Sequence, residues 1–218
     1  MNYTIIDTGN SHSFPSRHAL LDGTSADGDV IVVLGTGQAE ALEKIHGRDA
    51  KAAILIELGT ESLGTYTGES RGLEGSNVLG FARFRLGDGE PSNLIELVRQ
   101  PNTPPAAISA ARQVLEGAGF KVAVCFDFQG RIIDRLVRPY YNAALRRLDE
   151  GLASADDMDL TLRLGLGYPH GPIALLERTG LEHHFAVTQA LFEALGEAPY
   201  APARRARVAK VRAQKKSG

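Results

Sequence analysis

Short apolar runs alternate with turn-forming residues over the first 126 positions of the chain. Two longer segments, 38–46 and 104–118, have helical spacing. The second opens on Pro104 and Pro105, which suit the first turn of a helix because its backbone N–H groups are unpaired there. The runs with strand character are residues 3–6, 30–34, 53–58, 77–84, 94–98 and 121–126. Strands that alternate with helices predict a mostly parallel sheet with helices on its faces.

Beyond residue 130 the strand pattern ends, and pairs of apolar residues recur at every fourth position over 131–148. This stripe predicts a long amphipathic helix. Gly151 ends it, and Ser154 with Asp157 has the spacing of a capping box for the next helix. Further helices are predicted over 171–179 and 181–195. The stripe is either covered wholly within the chain or forms part of a dimer surface. We therefore predict domains over 1–126 and 127–200, followed by a basic C-terminal tail over 201–218.

Composition narrows the classes of protein that fit. The formal net charge is −2, and 43% of the residues are hydrophobic, as in an ordinary globular protein. Cys125 is the only cysteine, which rules out a disulfide framework and a thiolate zinc site within the chain. No apolar run reaches the roughly 18 residues of a membrane span, and the first ten residues lack a signal-peptide pattern. These features favour a cytoplasmic protein that makes no membrane contact.

The residues between 134 and 196 include "RLVRPYYNAAL", "EGLASADDMD", "LGLGYPHGP" and "TGL". This stretch resembles the C-terminal helical domain of the 3-hydroxyacyl-CoA dehydrogenase family. Upstream, "VIVVLG", "AILIELGTESL" and "NVLGFARF" resemble later strands of the family's Rossmann domain, whereas about the first 28 residues do not match. The resemblance implies an α/β Rossmann-like N-terminal domain followed by an all-α dimerisation domain of the family's C-terminal type.

The segment "DVIVVLGTGQAEAL", residues 29–42, looks like a dinucleotide-binding turn. In the register of the resemblance it is a later strand, and the family's Gly-x-Gly-x-x-Gly is absent from the residues before it. The Rossmann-like domain is therefore expected to be incomplete, with its first nucleotide-binding βαβ unit missing or rebuilt. If the segment were itself the nucleotide turn, Glu40 would replace the third glycine and repel a diphosphate, with Glu57 placed as a ribose-binding acid.

The resemblance implies NAD as the family's cofactor, but this sequence predicts that none binds. The cofactor-binding candidates that remain are Gly35, Gly37, Thr60 and Ser62. No metal is expected, because His183 and His184 lack the i,i+4 spacing of a helical metal pair. We expect one of these two histidines in the core and the other in solvent.

The family's catalytic positions are mostly substituted. The resemblance implies a histidine base, a glutamate that orients it, and a serine and an asparagine that hold the substrate. Carried over by position, the serine falls on Glu61, the histidine on Ala82, the glutamate on Glu96 and the asparagine on Asp134. Only Glu96 is retained. Alanine cannot accept a proton, and Arg83 points to the opposite face of its strand. Asp134 is expected to bring a second carboxylate near Glu96, which would favour protonation of one of the two.

Two classes of function remain. The first is a non-catalytic member of the family, related to acyl-CoA breakdown, with a structural, regulatory or acyl-CoA-binding role. The second is an active NAD-dependent 3-hydroxyacyl-CoA dehydrogenase with an altered site.

The expected partner is a second copy of the chain, through residues 131–196 with Tyr140, Tyr141 or Leu145 at or beneath the contact. An acyl-CoA ligand or a separate catalytic subunit stays open. Nucleic acid is not expected, because the seven basic residues of the tail "RRARVAKVRAQKKSG" have no aromatic residues among them. The tail is interpreted as an inherited family segment, with contact to CoA phosphates as the alternative.

Overall fold

The computed structural model describes residues 1–217 and divides the chain into two compact units. The sheet unit comprises Met1–Arg85 and Pro91–Arg131, and the helical unit comprises Leu86–Glu90 and the chain from Ile132 onwards. Gly218, which ends the predicted basic tail, lies outside the described residues.

The sheet unit contains six strands whose order in the sheet is their order in the chain. The strands are β1 (Tyr3–Asp7), β2 (Val30–Leu34), β3 (Ala53–Glu57), β4 (Val78–Arg83), β5 (Leu94–Arg99) and β6 (Lys121–Phe126). Neighbouring strands are parallel except for β4 and β5, which form an antiparallel pair. The helices are α1 (Ala19–Asp22), α2 (Gln38–Lys44), α3 (Gly64–Thr67) and α4 (Pro105–Gly117). The mostly parallel sheet predicted from the sequence is confirmed.

Both faces of the central strands are buried, which explains why β2 and β3 are apolar at nearly every position. On one face, α4 packs together with Phe14 and Leu20 of the β1–β2 connection. On the other face, Ala41 and Leu42 of α2 pack with Leu63, which precedes α3. The side chains of each strand therefore alternate between two separate cores.

The first two connections of the sheet pass over opposite faces. Residues 8–29 carry Phe14 and Leu20 over the α4 face, whereas the β2–β3 connection carries α2 over the other. Both connections advance by one strand in the same direction, so they must have opposite hands, although about 98% of parallel crossovers are right-handed. In a doubly wound nucleotide fold the chain leaves its first strand toward one edge and later returns to the other side of that strand.

The helical unit contains α5 (Ile133–Asp149), α6 (Ala155–Leu166), α7 (Pro172–Thr179), α8 (Leu181–Leu195) and α9 (Arg204–Ser217). The predicted cap of α6 is confirmed, because Ser154 Oγ accepts the Asp157 N–H at 3.1 Å. The basic tail is largely helical, and α9 packs on α8 and α5. Ala206 of α9 and Ala203, which precedes the helix, are buried. Among the described residues, no helix is long and apolar enough to cross a membrane.

Candidate functional site

Ala82 and Glu96 face each other across the antiparallel pair of β4 and β5. They are directly paired in the register, so both side chains lie on the same face of the sheet, and both are buried. The neighbouring Arg83 lies on the opposite face, as expected, where its guanidinium packs over the rings of Phe14 and Phe120 at 5.6 and 5.0 Å. The methyl group of Ala82 therefore stands where a side chain on β4 could reach the Glu96 carboxylate.

Arg131 supplies the positive charge beside Glu96. Its Nε lies 3.4 Å from Glu96 Oε2, and its Nη2 donates to the Gly59 carbonyl at 2.8 Å. The residue is only 7% exposed, its Nη1 has no hydrogen-bond partner in the described chain, and its φ of 49° is in the left-handed region. A buried guanidinium that is strained and incompletely bonded is costly, so the ion pair with Glu96 is the interaction that offsets this cost.

The other substituted position in the sheet unit, Glu61, is bound locally in the turn after β3. Its Oε1 accepts the Tyr66 hydroxyl at 2.9 Å and the Gly59 N–H at 3.0 Å. Burial, and then the negative charge of Glu61, raise the pKa of Tyr66 well above its usual value. Thr60 and Ser62 are half-buried in the same turn, and the Ser62 carbonyl accepts the Thr65 N–H. The turn is thus held by its own carboxylate, which occupies the position of a substrate-binding hydroxyl.

The N–H groups of the turn after β2 are all used within the sheet unit. Gly35 donates to Glu57 Oε2 at 2.8 Å, Thr36 to the Gly9 carbonyl at 3.1 Å, and Gly37 to Thr8 Oγ1 at 2.9 Å. The other oxygen of Glu57 accepts the Ser13 N–H at 2.6 Å. Glu57 has the spacing of a ribose-binding acid, but its carboxylate accepts the backbone N–H groups of Ser13 and Gly35. The N–H groups of Gly35, Thr36 and Gly37 are therefore satisfied within the sheet unit.

The turn after β1 also has a carboxylate bonded to its backbone. Asp7 ends the strand, and its carboxylate accepts the Gly9 N–H at 2.8 Å, so a negative charge stands where a diphosphate would need donors. A cavity of about 530 Å³ adjoins both turns, and its lining includes Thr8, Gly37 and Glu40. The Glu40 carboxylate pairs with Lys44 at 3.7 Å. In both turns a carboxylate, that of Asp7 or of Glu57, accepts a glycine N–H group.

In the helical unit, Asp134 belongs to a buried polar network. Its carboxylate accepts Arg138 Nε at 2.7 Å, and Arg138 Nη1 lies 3.2 Å from Nδ1 of His184. Because arginine can only donate, Nδ1 must accept, and the proton of the neutral ring sits on Nε2, 3.0 Å from Asn142 Oδ1. The Asn142 amide donates in turn to the Pro199 and Tyr200 carbonyls. Burial, reinforced by Arg138, lowers the pKa of His184 to about 3.

This network confirms one prediction made from the sequence. His184 is buried and His183 is exposed, so one histidine of the pair is in the core, as predicted. Each of the two carboxylates at family catalytic positions has an arginine beside it, Arg131 at Glu96 and Arg138 at Asp134. Among the described residues no cluster of three or more histidine, cysteine, aspartate or glutamate side chains could hold a metal.

The sequence of the helical unit matches a known protein family. Residues 130–218 match the model of the 3-hydroxyacyl-CoA dehydrogenase C-terminal domain. The helical unit is therefore of the 3-hydroxyacyl-CoA dehydrogenase C-terminal type.

Relatives within the 3-hydroxyacyl-CoA dehydrogenase family are longer than this chain. The 3-hydroxybutyryl-CoA dehydrogenase of Bradyrhizobium diazoefficiens is 33% identical over 109 residues, which cover 50% of this chain and 37% of that protein. The 3-hydroxyadipyl-CoA dehydrogenase of Escherichia coli is 34% identical over 101 residues, covering 46% of this chain and 21% of that protein. The match thus spans less than two fifths of either relative.

Solved structures support the family fold over more of the chain. The (S)-3-hydroxybutyryl-CoA dehydrogenase of Ralstonia eutropha superimposes with a TM-score of 0.69 at 23% identity, covering 83% of this chain and 64% of that one. FadB2 of Mycobacterium tuberculosis gives a TM-score of 0.67 at 24% identity, covering 88% and 70%. At this identity the likeness shows the fold, a Rossmann-like domain followed by a helical domain.

Two of the residues that shape these sites were not singled out from the sequence. Arg131 stands beside the retained Glu96, and Arg138 beside the substituted Asp134. For Arg138 there was a local signal, because it follows Asp134 at the i,i+4 spacing of a helical ion pair. For Arg131 the signal was a basic residue directly after Gly130, at the start of a predicted apolar helix face.

Proposed function

We propose that the chain is a non-catalytic member of the 3-hydroxyacyl-CoA dehydrogenase family that neither binds NAD nor oxidises 3-hydroxyacyl-CoA, and that it acts through assembly. The observation that carries the proposal is the buried Ala82–Glu96 cross-strand pair with Arg131 against the carboxylate. Oxidation of a hydroxyl needs a base within hydrogen-bond reach and with a pKa near the working pH. A guanidinium stays protonated and cannot take that role.

The cofactor side of the proposal depends on the backbone donors. Hydride transfer needs a nicotinamide held in place, and Rossmann domains hold its diphosphate on N–H groups at a glycine-rich turn and a helix N-terminus. In this chain the donors after β2 bond to Glu57, Gly9 and Thr8, and Asp7 stands at the end of β1. The proposal therefore involves two separate changes: one removes the catalytic base, and the other removes the backbone donors for the diphosphate.

A direct test combines cofactor titration with an activity assay. Calorimetric titration with NADH is expected to give no binding, and incubation with 3-hydroxybutyryl-CoA and NAD is expected to give no NADH above background. Ala82→His is expected to stay inactive, because it restores the base without restoring the diphosphate site. A family member that keeps the histidine and the Gly-x-Gly-x-x-Gly serves as the positive control. Binding in the low micromolar range, or NADH production by the wild type, would overturn the proposal.

Assembly is proposed to run through α6. This helix has no buried residue in the described structure, and Leu160 and Leu164, which lie one turn apart on one face, are 49% and 77% exposed. Tyr141 and Leu145 of the predicted stripe are buried within the helical unit, and Tyr140 packs on Tyr141. The unit thus exposes this face of α6 and also Leu136 of α5, which is 69% exposed. The α6 face is proposed as the contact because it carries two exposed leucines one turn apart. A two-fold contact, in which the same face meets itself, would bury it.

Light scattering coupled to size exclusion tests this contact. At tens of micromolar protein, the wild type is expected at twice the 23.4 kDa of one chain, and Leu160→Glu/Leu164→Glu at the mass of one chain. Leu152→Glu is the matched control, because Leu152 is also exposed but lies outside α6. A wild type that elutes as a single chain, or a double variant that stays dimeric through the helical unit, would mean that α6 is not the contact.

A further inference from the structure

The two outer edges of the sheet, formed by β1 and β6, differ in how their backbone groups are hydrogen-bonded. At the outer edge of β1, the Ile5 N–H donates to Thr24 Oγ1 at 2.9 Å. The Tyr3 carbonyl accepts both the Ser25 N–H at 2.7 Å and the Ser25 hydroxyl at 3.0 Å. These bonds occupy backbone groups that another strand would need, so the chain closes this edge itself.

The outer edge of β6 has no such cover. Lys121 and Asp127 donate their N–H groups to Asn93 and Arg99 of the β5 side, both at 3.0 Å, so the odd-numbered residues of β6 face β5. The backbone groups of the even-numbered residues point away from the sheet. The even-numbered residues are Val122, Val124 and Phe126. Within residues 1–217, their N–H groups have no hydrogen-bond acceptor. Of their carbonyls only that of Phe126 is bonded, and it accepts the Phe128 N–H.

Apolar side chains accompany these free backbone groups. Val124, Phe126 and Phe128 are 37%, 45% and 61% exposed. The guanidinium of Arg99 lies 3.9 Å from the centre of the Phe126 ring and fixes the ring against the sheet. An exposed strand edge with ordered apolar side chains is a template for strand addition.

We propose that β6 pairs with β6 of a second copy of this chain, antiparallel and centred on Val124. In this register Val124 pairs with its own copy, and Val122 pairs with Phe126, so every free N–H of the edge meets a carbonyl. Lys121 falls opposite Asp127, which places opposite charges at both ends of the pair. The Asp127 carboxylate also accepts the Leu63 and Gly64 N–H groups, each at 2.7 Å, so its position is fixed within the chain. The strand is therefore complementary to itself in hydrogen bonds, in apolar pairs and in charge, as an isologous contact requires.

The contact is short, so it is expected to be weaker than the proposed α6 contact and is best detected by trapping. Ala123 falls opposite Cys125 of the second copy, as a pair whose backbone groups are not bonded to each other. Cα atoms in such pairs are about 4.5 Å apart, within the range of a disulfide. Ala123→Cys is therefore expected to form a covalent dimer with the native Cys125. Because burial raises the pKa of Cys125 to about 11, copper phenanthroline is used as the oxidant.

The experiment is done in the full chain carrying Leu160→Glu/Leu164→Glu, so that its result does not depend on the α6 contact or on the proposed function. Lys121→Cys is the matched control, since it lies on the same strand face but opposite Asp127. Ala123→Cys is expected to yield a dimer on non-reducing gels, in a protein-concentration-dependent manner, and Lys121→Cys to yield none. No dimer with Ala123→Cys, or equal yields from both variants, overturns the proposal.

A second variant separates strand pairing from chance collision of cysteines. Val124→Pro removes the central N–H of the edge, which β5 does not use, so the sheet is expected to keep its fold and thermal unfolding midpoint within a few degrees. Added to Ala123→Cys, it is expected to abolish the covalent dimer. A folded proline variant that still cross-links at the original yield would contradict the register proposed here.

Discussion

Replacing Arg131 with methionine is expected to lower the free energy of unfolding of the sheet unit by about 3–5 kcal/mol, the usual cost of leaving one partner of a buried ion pair without the other. Glu96 is buried beside the Ala82 methyl group, and its carboxylate forms an ion pair with Arg131. Urea denaturation followed by circular dichroism measures the loss. The matched control is Arg112→Met, which breaks the half-exposed pair with Glu116 and is expected to cost less than about 1 kcal/mol.

The double variant Glu96→Leu/Arg131→Met distinguishes the ion pair from packing of the arginine stem. Removing both charges leaves no unpaired group, so most of the lost stability is expected to return. If Arg131→Met alone costs no more than the Arg112 control, or if the double variant is as unstable as the single one, the ion pair is not what stabilises this part of the sheet.

Lowering the pH from 7 to 5 is expected to cost the wild type about 2 kcal/mol more unfolding free energy than a His184→Gln variant. The pKa of His184 is lowered to about 3 in the folded helical unit, from 6.5 in the unfolded chain, by burial and by Arg138. Below pH 6.5 the unfolded chain takes up a proton that the folded chain cannot bind until about pH 3. Stability from this group is therefore complete above pH 6.5 and declines as the pH falls, by at most about 1.4 kcal/mol per pH unit.

The measurement is urea denaturation at pH 7, 6 and 5 for the wild type, His184→Gln and His170→Gln. Glutamine at 184 can still donate to Asn142 and accept from Arg138 but does not titrate. His170 is exposed, so its replacement is expected to leave the pH dependence of the wild type unchanged. Equal losses in the wild type and in His184→Gln would show that the buried imidazole does not set the acid sensitivity.

The sequence predicted the elements of this protein well because their patterns are local. The strands β2 and β6 begin and end at the predicted residues, and the predicted helix over 181–195 coincides with α8. These results depend on periodicity along one stretch of chain. The pairing of Ala82 with Glu96 was not predicted, because the antiparallel register of β4 and β5 is a contact between separate strands.

What the sequence did not reveal depends on contacts between distant segments. Arg131 contacts Glu96 and Gly59 from a left-handed backbone conformation after β6. No local sequence pattern predicts that conformation for an arginine. The network of His184 joins α5, α8 and the residues before α9. The apolar stripe of α5 is periodic whether or not it is covered. Only the packing of the unit shows that Tyr141 and Leu145 are buried while Leu136 and the α6 leucines are exposed.

The sequential order of the strands has a consequence for how the sheet forms. Each strand pairs with the one before it in the chain, so at every step the partner has already been synthesised. In a doubly wound nucleotide fold the fourth strand must instead return past two others to find the first. The sheet unit therefore has a lower mean sequence separation between paired strands than such a fold, which favours faster folding. It can be assembled by addition at a single growing edge, in the order in which the chain leaves the ribosome.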